Sequence, residues 1–208
     1  MPDDIVNQAD LLFQRLESLP LRQKVDAINR IRQKLHSRSP FSEEPVDCVQ
    51  WLPAEEVEGN DYNPNSVAPP ELRLLKHSIE MDGFTQPIVA HAESTRHLVV
   101  DGFHRHYIGK TSEPIRLRIH GYLPIVHIRS SRGDLPDRIA STIRHNRARG
   151  VHGVQPMTDV VVALRNAGWN DECIARNLGM DPEEVLRFKQ VAGLPELFSS
   201  HEYSRSWD

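Results

Sequence analysis

Hydrophobic positions follow three rhythms along this 208-residue chain. Over residues 8–36 the spacing is helical. Leu12, Leu16 and Leu19 form one stripe, and Val25, Ile28, Ile31 and Leu35 form a second. Pro20 falls near the start of the second segment, where its missing N–H costs nothing. The two stripes predict a helical hairpin, an arm for packing or dimerisation. Residues 37–45 lose the periodicity and read as a linker.

From residue 46 the rhythm shortens. Residues 46–52 alternate and predict a strand, and short apolar runs at 87–90, 98–101 and 121–128 predict three more. A turn cluster covers residues 60–65. Pro69-Pro70 opens a helix with Leu72, Leu75 and Ile79 on one side and Gly83 near its end. A further helix is predicted over 138–145, and beyond residue 150 the pattern is wholly helical. The predicted class is α+β: a helical arm (1–40), a mixed core (46–150) and an all-helical tail (151–208).

The tail fits a helix-turn-helix frame over residues 171–190. Ile174, Ala175 and Leu178 face inward on its first helix, and Gly179 holds a turn that needs a left-handed conformation. Pro182 stands near the start of the second helix, which Val185 and Phe188 anchor. The residues placed to enter a DNA groove include Asp181, Pro182, Glu183, Leu186 and Arg187, and the DNA-binding candidates are Glu183, Arg187 and Lys189. Affinity for DNA rests mainly on Lys and Arg neutralising phosphates. The acids here therefore leave a protein-interaction role open beside DNA binding.

Charge sharpens this picture. The net charge is −4, but its distribution is uneven. Residues 1–90 carry 9 basic and 15 acidic side chains, residues 91–150 carry 11 and 5, and residues 151–208 carry 5 and 9. Seven of the eleven histidines also lie in the middle segment. An anionic ligand, either phosphate or nucleic acid, is expected there. With 38% hydrophobic and 26% charged residues the composition is that of a globular domain. There is no apolar run of the roughly 18 residues a membrane span needs. The acidic start Met1-Pro2-Asp3-Asp4 does not resemble a signal peptide. Cys48 and Cys173 form no close motif, which suits a reduced, cytoplasmic protein.

The densest chemistry is Asp101-Gly102-Phe103-His104-Arg105-His106. It links a predicted strand to a segment of helical character. A glycine turn opening a helix offers unpaired N–H groups and a close backbone approach, a common phosphate-binding arrangement. Asp101 reads in two ways: as a helix cap accepting the N–H of residue 103 or 104, or as a general base. His104, His106, His145 and His152 lack the spacing of a metal site, so none is predicted.

Three boxes stand in order: 83–89 (GFTQPIV), 101–105 (DGFHR) and 144–149 (RHNRAR). With the Asn63-Pro64 turn, they resemble the nucleotide-binding domain of ParB-like partition proteins in the ParB/sulfiredoxin superfamily. Gln86, Pro87, Gly102, Arg105, Asn146 and Arg149 match the family's boxes. The segments 61–65, 101–106, 142–150 and 203–207 are most similar to stand-alone ParB-like proteins typified by the immunoglobulin-binding regulator B. That group is described as co-activating gene expression beside a partner resembling phosphoadenosine-phosphosulfate reductases.

The resemblance implies a DNA-associated regulator that binds a nucleotide (CTP, ATP or ADP, with or without magnesium) and can form a homodimer. The implied nucleotide or phosphate contacts are Gln86, Pro87, Gly102, His104, Arg105, His106, Arg144, Asn146, Arg147 and Arg149. Phe103 and His145 replace the two glutamates of the partition-protein boxes. Magnesium prefers oxygen ligands, so these replacements argue against hydrolysis more than against binding. Phe103 also occupies the position of the sulfiredoxin nucleophile, which excludes that chemistry. Residues 101–105 are similar as well to the D-G-H-H-R box of free-serine kinases, differing at Phe103. That likeness implies an alternative: a kinase for a small hydroxyl substrate, with Asp101 as the catalytic base. A third reading is a partner subunit of the reductase-like protein.

Overall fold

A twelve-residue helix, α1 (Pro2–Phe13), begins the fold and runs through a 3-10 turn, Gln14–Leu16, toward α2 (Leu21–His36). The architecture is that of a computed structural model, which describes residues 2–59, 69–93, 95–128, 140 and 154–192. Of the two predicted helices, α2 stands where the apolar spacing places it, with Pro20 just before it, whereas α1 starts earlier and ends at Phe13, so Leu16 falls in the 3-10 turn and Leu19 in the link to α2. They do not close as a hairpin, however, because α1 has no buried residue. The reason lies on α2. Its inner face is polar: Asn29 donates to the Trp51 carbonyl at 2.7 Å and accepts from the Trp51 N–H at 3.0 Å. Arg32 donates to the Val49 carbonyl, and His36 Nδ1 lies 2.6 Å from Asp47. One amide side chain thus replaces a missing neighbour strand at the edge of the sheet.

The sheet has five strands: β1 (Gln50–Pro53), β2 (Val57–Glu58), β3 (Ile88–Ala92), β4 (His97–Asp101) and β5 (Tyr122–His127). Their order is β1-β5-β3-β4-β2. β1 runs antiparallel to β5, and β3 antiparallel to β4, while β3 with β5 and β2 with β4 are parallel. The first predicted strand starts later than its alternation suggests, because residues Pro45–Asp47 form a 3-10 turn. Three helices supply the crossover and cover: α3 (Pro69–Asp82), α4 (Phe103–Thr111) and α5 (Glu113–Arg118).

One hydrophobic cluster lies on the sheet, with Val57, Ile88, Ala90, Val99, Leu123 and Ile125. A second, of Ile79, Ile108 and Ile115, joins α3, α4 and α5. Arg118 ties α5 to α3 through the carbonyls of Ile79 and Glu80, at 2.5 and 2.8 Å. These contacts fix α4 against the sheet, and the phosphate-type turn sits at its start.

The tail is α6 (Val154–Asn166), α7 (Asp171–Leu178) and α8 (Pro182–Val191). Its core includes Met157, Val161, Leu164, Ile174, Leu178 and Val185, with Phe188 packed against it. Asn170 caps α7 by accepting the Cys173 N–H at 2.8 Å, and Gly179 ends it at φ 63°, ψ 39°. The observed class is α+β with a C-terminal helix-turn-helix. Of the helix predicted over 138–145, only Ala140 is described, and it is buried. No helix among the described residues is long and apolar enough to cross a membrane.

Candidate functional site

Asp101 is the last residue of β4, and a register shift aims its side chain. Val99 pairs with Ala90, but Asp101 pairs with the adjacent Val89. One extra residue, Val100, therefore stands in β4, a β-bulge that turns Asp101 out of phase with Val99. Val99 joins the core beneath the sheet, while Asp101 lines a cavity together with Val89 and Val126.

Gly102 follows at φ 84°, ψ 27°, a left-handed conformation that favours glycine. Sterics make the same demand, since a Cβ on Gly102 would stand 2.9 Å from Arg105 Nη2. The chain then enters α4. Asp101 is not a cap in the expected sense. Its Oδ1 accepts from the Gly102 N–H at 2.7 Å, not from residue 103 or 104, and Gly102 is the cap position. The first-turn N–H groups of α4 are therefore not covered by an Asp101 cap.

Arg105 connects two of the predicted boxes. Its Nη1 donates to Gln86 Oε1 at 3.0 Å, and its Nη2 donates to the Pro87 carbonyl at 3.3 Å. Asp101 Oδ2 lies 4.0 Å from Nη2. The planar guanidinium thus holds the turn before β3 against the turn after β4. Gln86, Pro87, Asp101 and Arg105 line a cavity of about 350 Å3 with Val89, Val126 and Ile128, closed on one side by Glu44, Pro45 and Val46. The lining is mostly apolar and includes one cation and two carboxylates, the common make-up of a small-molecule site.

The histidines behave differently from one another. His104 is half-buried beside Arg105. Burial first and the guanidinium second lower its pKa below the ordinary histidine value. His106 is buried, with Nε2 3.0 Å from the Val57 carbonyl, which Lys110 also reaches at 3.1 Å. Its pKa is lowered mainly by burial, against the opposing Val57 hydrogen bond. The expectation of a phosphate contact at His106 is therefore corrected: the side chain locks α4 to β2. Phe103 packs into the sheet core, where a Cβ on Gly59 would meet its ring at 2.7 Å. That position is a packing anchor here. Positive charge at this turn comes from Arg105 and the start of α4, not from imidazolium.

Arg144, Asn146, Arg147 and Arg149 lie outside the described residues, as do the 61–65 turn and the 203–207 motif. In the tail, Glu183 and Arg187 are exposed on α8. Lys189 is not a DNA contact. It is 0% exposed, and its Nζ donates to Asp171 Oδ2 at 2.9 Å, so it ties α8 to α7. Helical spacing places Lys189 a short step from Arg187 but on the inner face.

Two features were not legible in the sequence. Glu44 and Pro45 lie in a segment that reads as a linker and Val46 at the start of a predicted strand, and packing of the Pro45–Asp47 turn against β5 brings them to the cavity. His97 and His127 are 30 residues apart, yet His127 Nε2 lies 2.9 Å from His97 Nδ1. They pair in register with Ala92 and Ala90 of the central strand, whose small side chains leave room for the rings to meet. Burial first, then His97 and His91, push the His127 pKa down to about 4. Among the described residues, no group of three or more His, Cys, Asp or Glu side chains is arranged to hold a metal ion.

A family model described as the IbrB-like C-terminal HTH domain matches residues 152–200. The chain is similar to a crystal structure of C-terminally truncated chromosome-partitioning ParB from Caulobacter crescentus complexed to the centromeric parS site. That match has 18% identity and a TM-score of 0.47, covering 71% of this chain and 73% of that one. It is also similar to the Caulobacter protein complexed with CTP-gamma-S, at 20% identity and a TM-score of 0.40, covering 71% and 80% of the two chains. A further relative is the uncharacterized protein YbdM of Escherichia coli (strain K12), 53% identical over 197 residues, which span 94% of this chain and 93% of YbdM. Identity at that level across nearly the whole of both chains places this protein in the family of YbdM, with an IbrB-like helix-turn-helix as its C-terminal domain.

Proposed function

We propose that this protein is a ParB-like regulator that binds a nucleotide at the Arg105 turn and engages DNA or a protein partner through its helix-turn-helix. The observation that carries the reading is the Arg105 guanidinium. It joins Gln86 and Pro87 to the left-handed Gly102 turn beside a cavity of about 350 Å3. Both boxes resemble those of the ParB nucleotide domain, and they meet around one cation. Phosphate oxygens would be held by Arg105 and the first N–H groups of α4. The apolar lining of Val89, Val126 and Ile128 suits the uncharged part of a nucleotide. Arg144, Asn146, Arg147 and Arg149 are proposed as further phosphate contacts on the strength of the third box.

Magnesium fits the cavity as a ligand carried in by the nucleotide. Asp101 and Glu44 are the carboxylates lining it, and oxygen is the donor magnesium selects. When bound, the ion would neutralise phosphate charge. CTP, ATP and ADP all satisfy this chemistry.

Glu183 and Arg187 stand exposed on α8 for a nucleic acid or a protein surface. Fluorescence anisotropy with duplex DNA at low salt, with and without each nucleotide, tests the regulatory half. A nucleotide-dependent change in DNA affinity is expected. Binding unaffected by nucleotide and abolished by modest salt would contradict it.

A second reading rests on the aim of Asp101. Its carboxylate lines the cavity and is steadied by the Gly102 N–H, so it could accept a proton from a small hydroxyl substrate. Phosphate transfer from ATP or ADP to a hydroxyl panel, lost in Asp101→Asn, would favour this kinase over a pure binding role.

A further inference from the structure

The two N-terminal helices carry complementary surfaces that do not meet within one chain. On α1, Ile5, Val6, Ala9 and Leu12 recur at helical spacing and form one apolar stripe. Ile5, Val6 and Leu12 are 69%, 64% and 61% exposed. The charged residues of this helix are Asp3, Asp4 and Asp10, with no Lys or Arg from Pro2 to Phe13. On α2 the polar face is spent on β1, which leaves the opposite side outward. There Ile31 and Leu35 floor a groove walled by Arg30, Lys34 and Arg38. Arg30 stands 3.8 Å from Asp26, but among the described residues no carboxylate pairs with Lys34 or Arg38. The groove is lined by four residues of α2 and by Arg38 just beyond its end, and no residue of α1 reaches it.

We infer that α1 of a second copy of this chain occupies the α2 groove, so that the protein forms a homodimer by reciprocal exchange of its N-terminal helices. The match is double. An apolar stripe meets an apolar floor, and a wholly acidic helix meets a basic wall. An uncharged or basic helix would satisfy only the first half. Exchange between two copies makes the same contact twice about a two-fold axis, which doubles the area buried by one short helix. Within the chain, α1 contributes nothing to the core, so it is available for the partner. This inference is independent of nucleotide binding.

Sedimentation velocity on the full chain, from low to high micromolar concentration, tests it. The expected result is a monomer–dimer equilibrium that weakens with salt, since charge pairs at the rim are screened. Leu12→Asp should raise the dimer dissociation constant by about a hundredfold, because a buried anchor becomes a charge. Lys34→Glu with Arg38→Glu should raise it by about tenfold. Adding Asp3→Lys and Asp10→Lys to that variant should restore it. All these side chains are exposed in the single chain, so circular dichroism should show unchanged helix content. A wild-type protein monomeric throughout, whether α1 folds back on its own α2 or awaits a different protein, overturns the inference. So does a dimer indifferent to Leu12→Asp, or a charge swap that fails to rescue.

Discussion

At the scale of single residues, Gly102 and Arg105 define one another. The turn needs a positive φ, and the space above Gly102 is filled by the guanidinium. Gly102→Ala should therefore cost about 1–2 kcal/mol in backbone strain alone, and it should displace Arg105 from Gln86. Urea unfolding checks the first effect and nucleotide titration the second. His127 makes a different prediction. Unfolded, a histidine protonates near pH 6.5, whereas His127 in the fold resists protonation down to about 4. Between those values the unfolded chain binds the additional proton, so stability falls as pH drops through this window and is fully present above it. Burial lowers the pKa of His97, His104 and His106 in the same sense. Urea midpoints measured from pH 7.5 to 4.5 should decline, and His127→Gln should flatten the decline.

At the scale of elements, much of the fold is legible because local pattern and burial agree. Ile174, Ala175, Leu178, Gly179 and Val185 announce α7, its turn and α8, and each occupies the expected place. Leu72, Leu75 and Ile79 do the same for α3. What pattern could not show depends on partners distant in the chain. β2 has two residues, too few for a periodicity, and exists through pairing with β4. The β4 bulge appears only once β3 is placed beside it, yet it decides which way Asp101 points. The inner face of α2 is equally hidden, since Asn29 reads as surface until its amide is seen holding Trp51. Asn29→Ala should destabilise the core by about 1–3 kcal/mol, because the Trp51 N–H and carbonyl lose their partner. Lys189 illustrates the same limit in the tail. Lys189→Ala should lower stability by about 3 kcal/mol by leaving Asp171 without its closest cation. Arg187→Ala should change stability by no more than about 0.5 kcal/mol. Thermal unfolding of the two variants separates the structural cation from the exposed one.

At the scale of the whole molecule, the chain divides its chemistry. The N-terminal helix is acidic and apolar, and the tail is a helix-turn-helix whose second helix begins with two acids, Glu183 and Glu184. The Arg105 turn joins two boxes in the mixed core between them. On the proposed reading, the core would bind an anion and the helices would report it. The claim on which this depends is that the Arg105 turn holds a nucleotide. Isothermal titration calorimetry with CTP, ATP and ADP, in the presence of magnesium, tests it most directly on the wild-type chain and on Arg105→Ala. The account predicts saturable one-site binding of at least one nucleotide, weakened at least about tenfold in Arg105→Ala. No heat with any of the three, or equal affinity in the variant, would contradict it.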